Sequence, residues 1–394
     1  MVAAVDHSFL QRLLDGWATW RDRMLSSERF QDWAMRTPIA RGIGRRRAAQ
    51  LFDLCAGFAY TQILTACVRT QLLAFLHVRP RTLGEVAEQI GMPEDSARTL
   101  LAGAVALRLV EARTSGRYGL GVLGASVVGN PGVRAMVEHN TLLYEDLRNT
   151  TALLRGQVPG TRLQQYWAYA GERAPGALPQ ADVAPYSELM AVSQPLVAAQ
   201  VLQHFDFSPY RCLMDVGGGE GAFLQAIGTT VPHLALQLFD LPAVAARARK
   251  RLAARGFEAR TQCHGGSFLH DPLPDGADLI SLVRVVHDHD DDAVVALFDR
   301  VRAALPPGGT VLVAEPMSLP GPAARMCDAY LSLYLKAMGQ GRARTPDEII
   351  ALLHAAGFPH ASHLPTSVPM AASLVVARLG DSAASSAGST VKKD

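Results

Sequence analysis

Apolar positions along this 394-residue chain change their spacing several times, and each spacing predicts a different kind of structure. Residues 1–45 place Trp17, Trp20, Phe30 and Trp33 among arginines at helical intervals, predicting one or two amphipathic helices that end where Pro38 breaks the pattern. Leu51–Leu76 is a long apolar-rich segment. Thr82-Leu-Gly-Glu-Val-Ala-Glu-Gln-Ile-Gly predicts a short helix with Thr82 as N-cap and Glu85 completing a capping box. Ser96–Leu109 reads as a further helix, and Val110–Leu120 as two short strands around a Thr-Ser-Gly turn. Residues 124–200 are mostly helical in pattern, with a Gly/Pro-rich interruption near 156–186. From 211 to 379 apolar strand-like runs alternate with helical stretches, which predicts a mostly parallel sheet covered on both faces.

Composition narrows the class. A chain of this length with 49% hydrophobic residues and both charge signs excludes wholesale disorder and suits two or three domains. Five scattered cysteines (Cys55, Cys67, Cys212, Cys263 and Cys327) without a C-x-x-C argue against a disulfide scaffold or zinc ribbon. The longest stretch free of Asp, Glu, Lys and Arg, Ile349–Ala377, holds Pro359, Pro365 and Pro369 and makes a poor spanning helix. No signal-peptide pattern opens the chain, so a cytoplasmic enzyme is expected, at most peripheral on the inner face of a membrane. The net charge of +2 conceals a local +4 in residues 1–50, where nine Arg face five acids. Aromatic residues beside Arg suit a lipid headgroup layer, and equally a helical arm packed on protein. Helix, turn, helix and hairpin over residues 82–120 form a winged-helix pattern. The second helix, with only Arg98 and Arg108 among Ala, Leu and Val, is too apolar for DNA readout and fits a packing or dimerisation module; no nucleic-acid partner is expected.

The chemistry sits in the C-terminal half. Arg211-Cys-Leu-Met-Asp-Val reads as the first strand, followed by Gly217-Gly-Gly-Glu-Gly221 and the helix Ala222–Ile227. Glycines at 217, 219 and 221 allow a sharp turn and the close approach of a ligand. The stretch also satisfies G-x-G-x-x-A through Gly217, Gly219 and Ala222, and Asp240 closes a second strand. A carboxylate there can accept ribose hydroxyls, so NAD and S-adenosylmethionine both remain open at this point. In His287-Asp-His-Asp-Asp-Asp292 a solvated helix start is the expected reading, and no metal is expected.

The ordered succession Asp215-x-Gly-x-Gly-x-Gly, Phe239-Asp-Leu-Pro-Ala-Val244, Gly265-Gly-Ser-Phe268, Val283-Arg-Val-Val-His-Asp288, Pro307–Glu315, Arg344-Thr-Pro-Asp-Glu348 and Ala355-Ala-Gly-Phe358 resembles the S-adenosylmethionine-dependent O-methyltransferases that join a winged-helix dimerisation domain to a Rossmann-like domain. The resemblance spans roughly residues 47–379. It implies an α/β fold with a mostly helical dimerisation domain first, a homodimer, and methyl transfer rather than hydride transfer. The implied organisation is an arm (1–46), a winged-helix-like domain (47–123), a helical linker and pocket roof (124–200), the methyltransferase domain (201–379) and a disordered tail (380–394).

Carried over by motif, Asp215, Gly217, Gly219, Gly221, Asp240, Leu241, Ser267, Phe268 and Arg284 would hold S-adenosylmethionine. Ser267 stands where the family usually has Asp, which weakens the adenine contact. His287 matches the general base and Glu315 the acid that orients it. A histidine near its ordinary pKa of ~6.5 would be largely neutral and able to accept a proton. A second orienting acid would fall at Ala343 and is absent, and His289 replaces a common Trp.

A narrower resemblance is carried by Arg45–Tyr60, Val137-Glu-His-Asn140, Ala152-Leu-Leu-Arg-Gly156, Tyr166-Trp-Ala-Tyr169 and Arg284-Val-Val-His-Asp-His289. These are similar to the carotenoid O-methyltransferases of purple photosynthetic bacteria, which methylate the tertiary C-1 hydroxyl of acyclic carotenoids such as demethylspheroidene and hydroxyneurosporene. The implied substrate is a hydroxylated carotenoid. Another hydrophobic metabolite, such as a polyketide or tetrapyrrole, or a regulator that senses S-adenosylmethionine, are the alternatives.

Overall fold

The computed structural model describes residues 7–167 and 194–380. The Gly/Pro-rich interruption from 168 onward and the expected disordered tail from 381 lie outside the described residues. The chain divides into two compact units, Met1–Ala125 and Ser126–Asp394.

In the first unit, helices His7–Ser26 and Glu28–Arg36 precede a 32-residue helix, Pro38–Arg69. Here the sequence expectation is corrected. Pro38 starts a helix instead of ending a pattern, because at the first helical position its missing N–H costs nothing and its fixed φ suits the helix. The helix also runs through Arg46–Arg47, where a boundary between arm and domain was expected. It ends at Arg69 with Thr70 as its C-cap, and Gln71, whose φ of 56° is left-handed, turns the chain into the next helix. Part of this helix, Ala40–Arg69, is long and apolar enough to cross a membrane by length and composition. Helices Leu72–Val78, Leu83–Ile90 and Glu94–Ala106 follow, with strands β1 (Arg81–Thr82), β2 (Val110–Ala112) and β3 (Arg117–Leu120) pairing antiparallel in the order β1-β3-β2. The capping box forms as the sequence predicts: Glu85 N–H donates to Thr82 Oγ1, and Glu85 Oε2 accepts from Thr82 N–H at 2.8 Å. Leu72, Leu76, Val86, Leu101 and Ala104 are fully buried and make this unit's core.

The second unit contains a seven-stranded sheet ordered β6-β5-β4-β7-β8-β10-β9. Its strands are β4 (Cys212–Val216), β5 (Ala235–Asp240), β6 (Thr261–Gly265), β7 (Leu279–Val283), β8 (Thr310–Glu315), β9 (His360–Leu364) and β10 (Ser373–Arg378). The first five run parallel, and β10 is antiparallel to both β8 and β9. Every residue of β4, β7 and β8 is buried, as expected of central strands covered on both sides. The period of two divides their side chains. Met214 and Val216 join the layer containing helices Asp291–Ala304 and Pro346–Ala355, and Leu213 faces the layer containing Ala222–Thr230 and Pro242–Ala254. The chain leaves β4 toward β5 and β6 and later returns to its other side with β7 and β8. This reversal opens a crevice at the carboxyl ends of β4 and β7, where ligands bind in such sheets.

Candidate active site

The turn after β4 lies at that crevice. Gly217, Gly219 and Gly221 have φ of 70°, 56° and 77°. A Cβ on Gly217 would stand 2.7 Å from Val285 Cγ2, so this glycine lets the β4 and β7 loops approach each other. At Gly219 a Cβ would meet nothing within 4 Å, which leaves that backbone open to a ligand. Beneath the turn, Ser281 donates to Asp215 Oδ1 at 2.6 Å, while Asp215 Oδ2 is buried without a hydrogen-bond partner among the described residues. Burial pushes the Asp215 carboxyl up to about 7. Asp240, ending β5, accepts from Gly219 N–H and Leu241 N–H, each at 2.7 Å, and burial raises it to about 6 against those bonds. A brace not expected from the sequence ties the turn to the next helix: Glu220 pairs with Arg247 at 3.1 Å and Arg251 at 3.0 Å.

After β6, Ser267 N–H donates to Asp271 Oδ2 at 2.8 Å. The Phe268 ring lies 3.7 Å from the place a Gly217 Cβ would occupy and meets His289 edge-on at 5.3 Å. All the expected cofactor residues therefore gather at the ends of β4, β5, β6 and β7. Arg284 follows the last residue of β7 with φ of 59°, a strained setting for a non-glycine residue and frequent at functional sites.

His287 lies on the 3₁₀ turn Val286–Asp288 just beyond β7 and is buried. Its Nδ1 is 3.0 Å from Glu315 Oε2, which also accepts the His287 backbone N–H at 3.0 Å. Since a carboxylate can only accept, Nδ1 carries the hydrogen and Nε2 is the nitrogen left to take a proton. Nε2 is 3.3 Å from Asp288 Oδ1. The expectation of an ordinary histidine is corrected. Burial lowers its pKa, but the Asp288 and Glu315 charges outweigh it and the net shift is upward.

The acidic run after His287 does start a helix, Asp291–Ala304, with Asp290 at the N-cap and Asp291 and Asp292 in the first turn, as expected from sequence, but it also binds a distant segment. Asp290 Oδ1 accepts from Gly341 N–H at 3.1 Å, and the Asp291 carboxylate binds Arg342 at 3.0 Å and the Arg344 guanidinium. Arg344 is fully buried and also donates to the carbonyls of Val286 at 2.9 Å and His289 at 2.7 Å. Arg342 N–H reaches the His287 carbonyl at 3.0 Å. Segment 341–344 thus grips the histidine turn, while Ala343 packs against an apolar cluster.

That cluster is the part of the site the sequence reading missed. Leu143, Leu163, Trp167, Cys327, Leu331 and Tyr334 form it. Within it Tyr334 OH lies 2.6 Å from His139 Nε2 and accepts from Trp167 Nε1 at 2.8 Å, and Tyr330 OH donates to Asn140 at 2.8 Å. Burial holds His139 down at about 4, hence neutral. The carrier of Tyr330 is a π-turn, Arg325–Leu331, a helix irregularity frequent at functional sites. Glu315 raises Cys327 and Arg284 lowers Tyr330, each beside a larger burial effect, so the cluster adjoins the histidine site. The only sequence signal was the pair of motifs around His139 and Trp167, carried by resemblance alone.

A doubly wound sheet with a glycine turn, an acid closing β5 and a carboxylate-backed histidine after β7 defines a group-transfer enzyme built around a nucleoside cofactor. The description "O-methyltransferase domain" matches residues 177–359. The demethylspheroidene O-methyltransferase of Cereibacter sphaeroides is 44% identical over 355 residues, 90% of this chain and 93% of that protein. Its counterpart in Rhodobacter capsulatus is 38% identical over 91% of this chain and 89% of its own. Among solved structures, human N-acetylserotonin methyltransferase in complex with SAM superposes with a TM-score of 0.71 and 25% identity, over 85% of this chain and 98% of that one. The chain belongs to the S-adenosylmethionine-dependent O-methyltransferase family and is an enzyme of that class. The site fits the cofactor: the backbone of the β4 turn is open at Gly219, and Asp215 Oδ2, buried at the foot of the same turn, has no hydrogen-bond partner among the described residues.

Proposed function

We propose that the enzyme methylates the tertiary C-1 hydroxyl of an acyclic carotenoid of the demethylspheroidene or hydroxyneurosporene type. The 44% identity to a demethylspheroidene O-methyltransferase over nearly the whole of both chains carries this reading. The apolar cluster beside His287, with Ala343 in it where relatives place an acid, supports a substrate that is hydrocarbon up to its hydroxyl.

S-adenosylmethionine supplies, when bound, a methyl group already activated on a sulfonium sulfur. Asp215 and the turn Gly217–Gly221 would hold its amino-acid end, Asp240 and Leu241 its ribose, Ser267 and Phe268 its adenine, with Arg284 completing the contact. His287 Nε2 would take the substrate's hydroxyl proton, and Glu315 would keep the imidazole in the required tautomer and offset its charge. A tertiary alcohol is about as weak an acid as water, near ~15.7. The proton therefore leaves as the new O–C bond forms rather than beforehand, and burial keeps competing water away from His287. Incubation with labelled S-adenosylmethionine and a panel of hydroxylated carotenoids should give a methyl ether from a 1-hydroxy carotenoid. Label appearing only on an unrelated hydrophobic alcohol would reject the assignment.

The substrate's solubility bears on the N-terminal arm, for which we infer peripheral contact with the inner face of an anionic membrane. Trp17, Trp20 and Trp33 are each more than half exposed among the arginines that give residues 1–50 their +4, and the Arg21 guanidinium lies over the Trp17 ring. Deleting residues 1–40 should reduce co-flotation with phosphatidylserine vesicles several-fold; equal flotation of both forms removes this role. The first unit would also form a homodimer, as in the family's expected organisation, and a single-chain mass in sedimentation would refute it.

A further inference from the structure

The residues flanking His287 leave one question unanswered by family likeness. The acid that would fall at 343 is an alanine lodged in an apolar cluster, yet the histidine is not left with a single carboxylate. Asp288, its immediate neighbour, is as buried as His287 itself, and its Oδ1 stands 3.3 Å from Nε2, the ring nitrogen opposite the one Glu315 holds. The 3₁₀ turn brings adjacent side chains to this arrangement, with the Asp288 N–H bonded to the Val285 carbonyl at 3.2 Å. The turn is in turn clamped from outside by Arg342 N–H on the His287 carbonyl and Arg344 on the carbonyls of Val286 and His289. A Cβ at Gly341 would strike the His287 carbonyl oxygen, so this close clamping requires a glycine there.

We propose that Asp288 is a second positioning acid, acting through His287: once Nε2 has taken the substrate's proton, its N–H faces the Asp288 carboxylate, which stabilises the imidazolium formed there. This rests on the methyltransferase reading of the site. The substrate's O–H proton moves to Nε2, the resulting cation lies between the Asp288 and Glu315 carboxylates, and the proton later passes to solvent. Such a device suits a weakly acidic alcohol, because a carboxylate in contact with the receiving nitrogen strengthens it as a base.

The charges facing His287 from every side agree with this assignment. Glu315, from the end of β8, and Asp288 raise its affinity for a proton. Arg284 on the same loop lowers it. His289 is held neutral-leaning by burial and also senses Asp288, Glu315 and Arg344. From the helical segment opposite, Cys327 and Tyr330 are each pushed up to about 12 by burial and bring no charge at neutral pH. Asp291, which neutralises Arg342 and Arg344, completes the surroundings.

The test is a titration of the ring signals of His287 by NMR on full-length enzyme with labelled histidine, assigned by their disappearance in His287→Gln. In Asp288→Asn the midpoint should move to lower pH, and turnover should fall ~10–100-fold with its pH limb moving in the same direction and KM little changed. Asp288→Glu should recover part of both. An unchanged midpoint in a folded Asp288→Asn enzyme overturns the proposal, and so does a fall in turnover without movement of the limb, which is what a merely structural role would produce. Where the Asn variant does not fold, Asp288→Glu is read instead: its displaced carboxylate should shift the midpoint, and no shift overturns the proposal. The NMR midpoint needs no substrate, so failure of the carotenoid assignment, seen as absent turnover in the unaltered enzyme, is distinguished from failure of this one.

Discussion

Replacement of His287 by alanine is expected to slow methyl transfer by ~10²–10⁴-fold and to leave affinity for S-adenosylmethionine within about twofold. The separation follows from the site's construction. The glycine turn, Asp215 and Asp240 belong to β4 and β5 and make their bonds without the imidazole. His287 comes from the β7 loop and contributes a proton-accepting nitrogen. The same argument gives the pH dependence of the unaltered enzyme. Because the Asp288 and Glu315 charges raise the histidine above its ordinary ~6.5, it remains protonated, and unable to accept, to a higher pH than a free imidazole. Turnover should therefore rise with pH through a midpoint above ~6.5. Stopped-time assays across pH 5.5–9.5 (roughly the range in which histidine titrates) read both effects. Turnover in His287→Ala equal to that of the unaltered enzyme would show that alignment alone suffices and that no side-chain base is used.

The largest effect on stability is expected from Arg344→Met, a loss of about 3 kcal/mol in unfolding free energy. Methionine fills much of the volume but donates nothing. The carbonyl of His289 would lose its donor, that of Val286 would keep only the long bond from His289 N–H at 3.3 Å, and the Asp291 carboxylate would lose one of its two arginines. Each deserted buried acceptor costs ~1–3 kcal/mol, with the half-exposed Asp291 adding little because water can replace its partner. The defect falls on the turn that carries His287, so turnover should drop as well, more than cofactor affinity does. Urea unfolding of the two proteins measures the difference; a loss below about 1 kcal/mol would mean that water or a rearranged Arg342 supplies the missing donors.

The elements around the cofactor were legible in the chain because their signals are local. The apolar run of β4 followed by Gly217, Gly219 and Gly221 reports a strand, a turn and a helix within a dozen residues, and Asp240 marks the end of the next strand. The capping box at Thr82 and Glu85 needs only four residues to be seen. Pro38 shows the limit of such reading, since proline both breaks a helix interior and begins a helix well, and the residues that follow decide between the two. In His287–Asp292 the types were visible but their partners were not: Asp290 and Asp291 meet Gly341, Arg342 and Arg344, some fifty residues away.

Spacing along the chain by itself therefore determined the parallel sheet, the order of its strands' motifs and the side of it on which chemistry occurs, because alternation, glycine and helix caps act between near neighbours. Which charges surround His287, and that Arg344 is buried beneath its turn, were decided only by the tertiary structure. So was the gathering of His139, Trp167, Tyr330 and Tyr334 into one cluster beside it. Those contacts join segments separated by up to about two hundred residues, and their strength depends on burial. Burial lowers the histidine's proton affinity and the two buried carboxylates more than restore it, a balance that no local pattern of residues can report.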